Sequence, residues 1–317
     1  MLRIGTMNDT NERLEEAGEI QNALAQWWRE CARDLPWRFG RTTPWGVLVS
    51  EVMSQQTQMG RVVPYWTEWM ERWPDAAALA AAPKSEVIAA WGRLGYPRRA
   101  LRLRECAIAV ANDFHDELPH TYDELMDLPG VGDYTASAVM SFAFGARIAV
   151  VDTNIRRVLS RAFLGEESLG GAASPAERAL ANRVLPEDNA AKVRRFDRPS
   201  VVWNQSVMEL GATVCTAKKP LCDSCPIASY CVFLRHGRPG LGERRTRPRQ
   251  RFQGTDRQVR GLVLDALRAL PEGKSRLDRA DLERLWPDHI QLDKCVASLD
   301  EDGLIEILPG GEVRFPV

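Results

Sequence analysis

The sequence predicts an all-α protein that ends in a small mixed domain. Three observations predict it. Apolar residues recur at helical spacing from the N-terminal region to Cys231. No convincing alternating run of strand type occurs before residue 300. A Gly/Pro/Arg-rich stretch then separates residues 256–317 from the rest. The 317 residues allow two or three domains with a sizeable core.

Taken in order, residues 11–33 read as a helix, with Ile20, Leu24, Trp27, Trp28 and Cys31 at helical spacing. Arg33-Asp34-Leu35-Pro36-Trp37-Arg38 breaks it. Thr43-Pro44 starts a second helix as N-cap and first-turn proline. Trp45, Leu48, Val49, Val52 and Met53 form its apolar stripe, with Glu51 at the edge. Helices follow over Val62–Arg72, Ala76–Ala82, Lys84–Leu94, Arg98–Phe114 and Tyr122–Leu128. Residues 165–200 read as a loop with polar connections. A helix over Ser200–Gly211 leads into a cysteine cluster. Arg244, Arg245, Arg247, Arg249 and Arg251 mark a basic linker. Helices over 256–270, 278–286 and 290–302, then a hairpin around Pro309-Gly310-Gly311, suggest a winged-helix-like unit.

The net charge of −1 gives no global basic field, so any nucleic-acid contact must be local. No apolar run approaches membrane-spanning length. The N-terminus lacks a basic start followed by an apolar core, so no secretory signal is expected. A cytoplasmic monomer is the expectation.

Two stretches carry chemistry. In Leu128-Pro129-Gly130-Val131-Gly132-Asp133-Tyr134, two glycines bracket a valine just before a helical pattern. Glycine admits a close partner, and the free amides of the following turn can hold a phosphate. Gly130, Val131 and Gly132 are therefore candidate contacts to a nucleic-acid backbone, with an ordinary helix–turn–helix packing corner as the alternative. Asp152 follows a short apolar run and opens another helix, as an N-cap or as a carboxylate facing what the turn holds.

The second stretch is Cys215, Cys222, Cys225 and Cys231, spaced C-x6-C-x2-C-x5-C. Four of the seven cysteines in one short segment argue for a metal site in a reducing compartment. The wide gaps suit the reach of an iron–sulfur cluster better than zinc knuckles, with zinc as the alternative.

Over residues 15–231 these motifs occur in a specific order. They are Leu35-Pro36-Trp37-Arg38, Ser50-Glu51-Val52-Met53, Gln55-Gln56-Thr57, Leu94-Gly95-Tyr96, the glycine hairpin, Asp152-Thr153-Asn154, Trp203-Asn204-Gln205, Met208-Glu209-Leu210-Gly211-Ala212 and the four cysteines. The set resembles the A/G-specific adenine DNA glycosylases of the MutY family, within the helix-hairpin-helix, endonuclease III superfamily. The resemblance implies a helix-hairpin-helix glycosylase over 1–235. Its six-helix barrel would span about 38–150. An iron–sulfur domain would combine the N-terminal helix with 151–235. A basic linker would cover 236–255 and the winged-helix-like domain 256–317.

It also implies roles. A glycosylase extrudes its base before cutting the sugar–base bond. Glu51 would protonate the leaving adenine, and partial burial on its hydrophobic helix would help. Asp152 would stabilise or trap the cationic sugar, with Tyr134 and Asn154 assisting. Leu35, Trp37, Arg38 and Glu209 would line the adenine pocket, with a plain salt bridge between Arg38 and Glu209 as the alternative. Gln56 and Tyr96 would wedge into the duplex. The cysteines would hold a [4Fe-4S] cluster. Tyr134 stands where the bifunctional branch has a lysine, implying a monofunctional enzyme. The substrate would be duplex DNA in which adenine faces 8-oxoguanine or guanine. The alternatives are a thymine/uracil mismatch glycosylase and a non-catalytic DNA-binding module. Ser54, Pro97 and Thr153 depart from the family pattern without removing a proton-transferring group. The short tail has too few residues for the MutT-like domain of better-known members.

Overall fold

The computed structural model describes residues 16–168, 171–189, 193–243 and 252–317. The arginine run from Arg244 to Arg251 lies outside the described residues, as do 11–15 of the first expected helix. Two compact units emerge. The first comprises Met1–Leu48, His120–Asp127 and Val131–Thr246, the second Val49–Pro119, Leu128–Gly130 and Arg247–Val317. Among the described residues no helix is long and apolar enough to cross a membrane.

In the first unit, α1 (Ala17–Cys31) buries Ile20, Leu24 and Trp28. The next helix, α2 (Pro44–Ser54), begins here and continues into the second unit. Later in the chain come α7 (Tyr122–Asp127), α8 (Asp133–Phe142), α9 (Thr153–Leu159), α10 (Pro175–Arg183), α11 (Pro199–Thr213) and the short α12 (Val232–Arg235). A π-turn over Ser160–Leu164 extends α9. α11 is the central strut, packed against α1, α8 and α9. Its Gly211 lies against Asn154, where an added Cβ would come within 2.7 Å of the Asn154 Cβ. Glycine there lets α11 and α9 approach closely. Asn204, also on α11, is buried and ties down the run before Asp152. Its side chain donates to the Ile148 carbonyl at 2.8 Å and accepts from the Val150 amide at 3.3 Å.

α10 was not expected, since residues 165–200 read as a loop. Its start is a complete capping box: Ser174 accepts from the Glu177 amide, and Glu177 reaches back to the Ser174 amide at 2.8 Å. Glu177 also grips Arg156 of α9 through both oxygens, at 2.9 and 2.8 Å.

The second unit contains α3 (Met59–Arg72), α4 (Ala76–Ala81), α5 (Lys84–Trp91) and α6 (Arg98–Asp113). Trp69 centres an aromatic cluster, with edge contacts to Trp73 at 4.8 Å and Trp91 at 5.5 Å. The C-terminal part supplies α13 (Asp256–Arg268), β1 (Arg276–Leu277), α14 (Arg279–Glu283), α15 (His289–Glu301), β2 (Glu306–Ile307) and β3 (Val313–Arg314). The expected hairpin is the antiparallel pair β2 and β3. An unexpected third strand, β1, pairs with the other side of β3, giving the order β1-β3-β2. At two residues it is too short to show a period in sequence. Ile88 of α5 belongs to the same core as Val259, Val263, Leu292 and Leu299.

Candidate active site and metal centre

Asp152 caps α9. Its carboxylate accepts from the Ile155 amide at 2.6 Å and from the Asn154 side chain at 2.8 Å. Although the residue is partly exposed, burial of the carboxyl is the largest influence on it. Burial lifts its pKa above the ordinary aspartate value, against the opposing pull of these hydrogen bonds and Arg157. Arg157 donates to the Asn154 side-chain oxygen at 2.8 Å, to the Gly211 carbonyl at 2.6 Å and to the Cys215 carbonyl at 2.8 Å. Asp152, Asn154, Arg157 and the first cysteine thus form one continuous hydrogen-bonded chain.

The four cysteines share the lining of one cavity with Arg161, Leu221 and Phe233. Among the described residues no three His, Cys, Asp or Glu side chains close round a point as ligands of a single ion do. Burial pushes the Cys225 thiol up to about 12, and the neighbouring Cys215, Cys231 and Cys222 add to the effect. A donor set whose members oppose one another's ionisation needs a positive centre to become thiolates, which fits a metal cluster. Arg161 supplies part of that charge, with its guanidinium 3.4 Å from the Cys215 sulfur.

Glu209 of α11 is buried, at 1% exposure, and carries two arginines. Arg33 binds it bidentately at 2.5 and 2.8 Å, and Arg38 reaches its other side at 2.7 Å. Burial would raise the Glu209 pKa, but the two guanidinium groups outweigh it and hold the carboxyl at about 2. Arg38 and Glu209 are ion-paired in this structure. Arg33 is an addition that the sequence did not mark. Leu35 is buried, Trp37 half-buried, and the Arg38 guanidinium stacks over Trp28 at 4.8 Å.

In the hairpin, Gly130 takes the left-handed backbone, φ +79°, which favours glycine. Gly132 precedes α8 with no side-chain cap on the first turn. The Asp133 carboxylate, which would repel a phosphate there, is engaged by the Tyr122 hydroxyl at 2.7 Å and by Arg178. Tyr134 follows on the first turn of α8, half-buried.

In the second unit, Glu51 lies on α2 with 8% exposure. Gln56 and Tyr96 are exposed and both hold left-handed backbone, at φ +54° and +47°. For non-glycine residues that conformation is costly, and it clusters at functional sites. Arg99 holds the two loops. It donates to the carbonyls of Val52 and Gln55 at 2.7 Å and of Gly95 at 3.0 Å, and to the Thr57 hydroxyl at 3.3 Å. Burial lowers its pKa to about 10. Nothing in the sequence singled out Arg99.

The family model of the HhH-GPD superfamily of base excision DNA repair proteins matches residues 49–184. That of the iron–sulfur binding domain of endonuclease III matches 215–231. A thermostable thymine-DNA glycosylase structure aligns with TM-score 0.60 at 27% identity, covering 70% of this chain and 98% of that one. A non-covalent endonuclease III–DNA complex aligns at 0.58 and 22%, covering 71% and 97%, a likeness of fold. Fold and site thus define a helix-hairpin-helix base excision repair protein with a [4Fe-4S] cluster, its iron–sulfur domain matching residues 215–231.

The chain is 46% identical over 285 residues to the adenine DNA glycosylase of Mycolicibacterium smegmatis, covering 89% of this chain and 91% of the relative. Against the human adenine DNA glycosylase it is 39% identical over 226 residues, covering 68% of this chain and 39% of that protein. The chain belongs to the adenine DNA glycosylase family.

Proposed function

We propose that this enzyme hydrolyses the N-glycosidic bond of adenine mispaired with 8-oxoguanine or guanine in duplex DNA. It acts as a monofunctional glycosylase and a monomer in the bacterial cytoplasm. The observation that carries the reading is the Asp152 carboxylate, enclosed and fixed by Ile155 and Asn154. A fixed anion stabilises positive charge developing on a sugar without reorganising at the moment of reaction. Asn154 and Arg157 orient it. Glu51 protonates the departing adenine, and Tyr134 assists the acids. Leu35, Trp37, Arg38 and Glu209 receive the extruded base. Gln56 and Tyr96 open the stack, while Gly130, Val131 and Gly132 hold the strand. Cys215, Cys222, Cys225 and Cys231 would hold the cluster, and Arg157 joins their loop to Asn154.

The test is base release from duplexes that pair adenine with 8-oxoguanine, guanine or cytosine. Release from the first two pairs is expected, together with no borohydride-trapped protein–DNA adduct. The likeness to a thymine-DNA glycosylase fold favours one second reading, thymine or uracil excision. The same assay on thymine and uracil facing guanine decides between them, and pyrimidine release without adenine release sinks the first reading.

A further inference from the structure

Residues 256–317 carry nine lysines and arginines. Eight of them form ion pairs with carboxylates. Arg257 is the exception, with no carboxylate partner among the described residues. It sits exposed on the first turn of α13, and its guanidinium lies 5.5 Å from the centre of the Tyr96 ring.

The second unit fixes that position. Asp265 of α13 pairs with Arg93 at 2.9 Å, and Asp302 pairs with Arg98 at 3.2 Å. Arg268 donates to the Ile88 carbonyl at 3.4 Å, and Ile88 itself enters the C-terminal core. These contacts bracket the Tyr96 loop from both ends. Meanwhile α15, the third helix of the winged-helix-like trio, is a poor groove reader. Its Lys294 is taken by Asp256, and its remaining charges, Asp293, Asp300 and Glu301, are acidic.

We propose that Arg257 binds a backbone phosphate of the duplex beside the gap that Tyr96 fills, while steadying the tyrosine ring. The proposal rests on the wedge reading of Tyr96 given above. A planar guanidinium can stack on a ring through its face and still direct its N–H edges at phosphate oxygens. An unpaired cation at such a point releases a counterion on binding. The C-terminal domain thus contributes to DNA binding through one arginine beside the wedge rather than through its third helix.

The experiment uses the full-length chain and a duplex in which 2′-fluorinated adenosine, resistant to glycosidic cleavage, faces guanine. Affinity is measured across a salt series for the wild type, Arg257→Ala and Arg257→Glu. For Arg257→Ala the slope of log affinity against log salt is expected to shrink by about 0.9, with roughly tenfold weaker binding at low salt. Arg257→Glu is expected to bind more weakly still. Thermal melts and cluster absorbance verify that both variants are intact. An unchanged slope in Arg257→Ala, or equal losses in the two variants, overturns the proposal. Adenine release by the wild type is measured in parallel. Its absence sinks the proposed activity without altering the slope comparison.

Discussion

The pairing of Glu209 with Arg33 and Arg38 makes a prediction whose size follows from the structure. Glu209→Gln removes the charge and leaves Arg38, 8% exposed, facing a neutral amide. A carboxyl held at about 2 rather than 4.5 corresponds to about 3 kcal/mol of folding free energy. The Arg33 side chain is 36% exposed, so water screens part of its share, and a loss of about 2 kcal/mol is expected at neutral pH.

The pH dependence separates this cause from a general packing defect. Because the folded pKa lies below the unfolded one, the stabilisation is fully present above 4.5 and disappears as pH falls toward 2. Denaturant unfolding at stepped pH measures it. The stability difference between wild type and Glu209→Gln should be constant above that window and shrink through it. A difference that stays flat on acidification, or no difference at neutral pH, refutes the reasoning.

Four further outcomes are expected. Asp152→Asn should lower single-turnover adenine release at least about a hundredfold while unfolding within about 0.5 kcal/mol of the wild type, because asparagine caps a helix as well as aspartate does. In the wild type the acid limb of that rate should lie above 3.8, since burial raises the Asp152 pKa and protonation on acidification removes the anion. Arg99→Lys should weaken mismatch binding about tenfold and not substitute for arginine, because an ammonium cannot span the carbonyls of Val52, Gln55 and Gly95 at once; equal affinities in gel-shift titrations would show that the clip is dispensable. Arg157→Ala should reduce both visible cluster absorbance per chain and adenine release, because it severs Cys215 from Asn154; loss of one alone contradicts a shared support.

The helices and the cysteine loop were legible because local periodicity and spacing dictate them. The Asp152 cap was equally legible, since a cap is decided within three residues. The missed α10 carried a local signal too, Ser174-Pro175-Ala176-Glu177, hidden by its small-residue surroundings. Other features have no local signature. Arg33 meets a carboxylate 176 positions away. The left-handed turns at Gln56 and Tyr96 fall on residues that ordinarily avoid them, so only the surrounding structure reveals them.

Those turns and their clip point to one physical theme in the second unit. In the proposed wedge role, Gln56 and Tyr96 gain from backbone fixed before binding, since ordering a loop at the moment of contact costs about 1–2 kcal/mol per residue. Arg99 supplies that order from a half-buried position, held by carbonyls instead of a carboxylate. An acid beside it would place negative charge close to the approaching phosphates; carbonyl dipoles restrain the arginine and leave its positive charge uncancelled. The same logic separates Arg257 from the eight paired cations of its domain. Ion pairs fix the domain in place, and the cation left unpaired lies at the tyrosine.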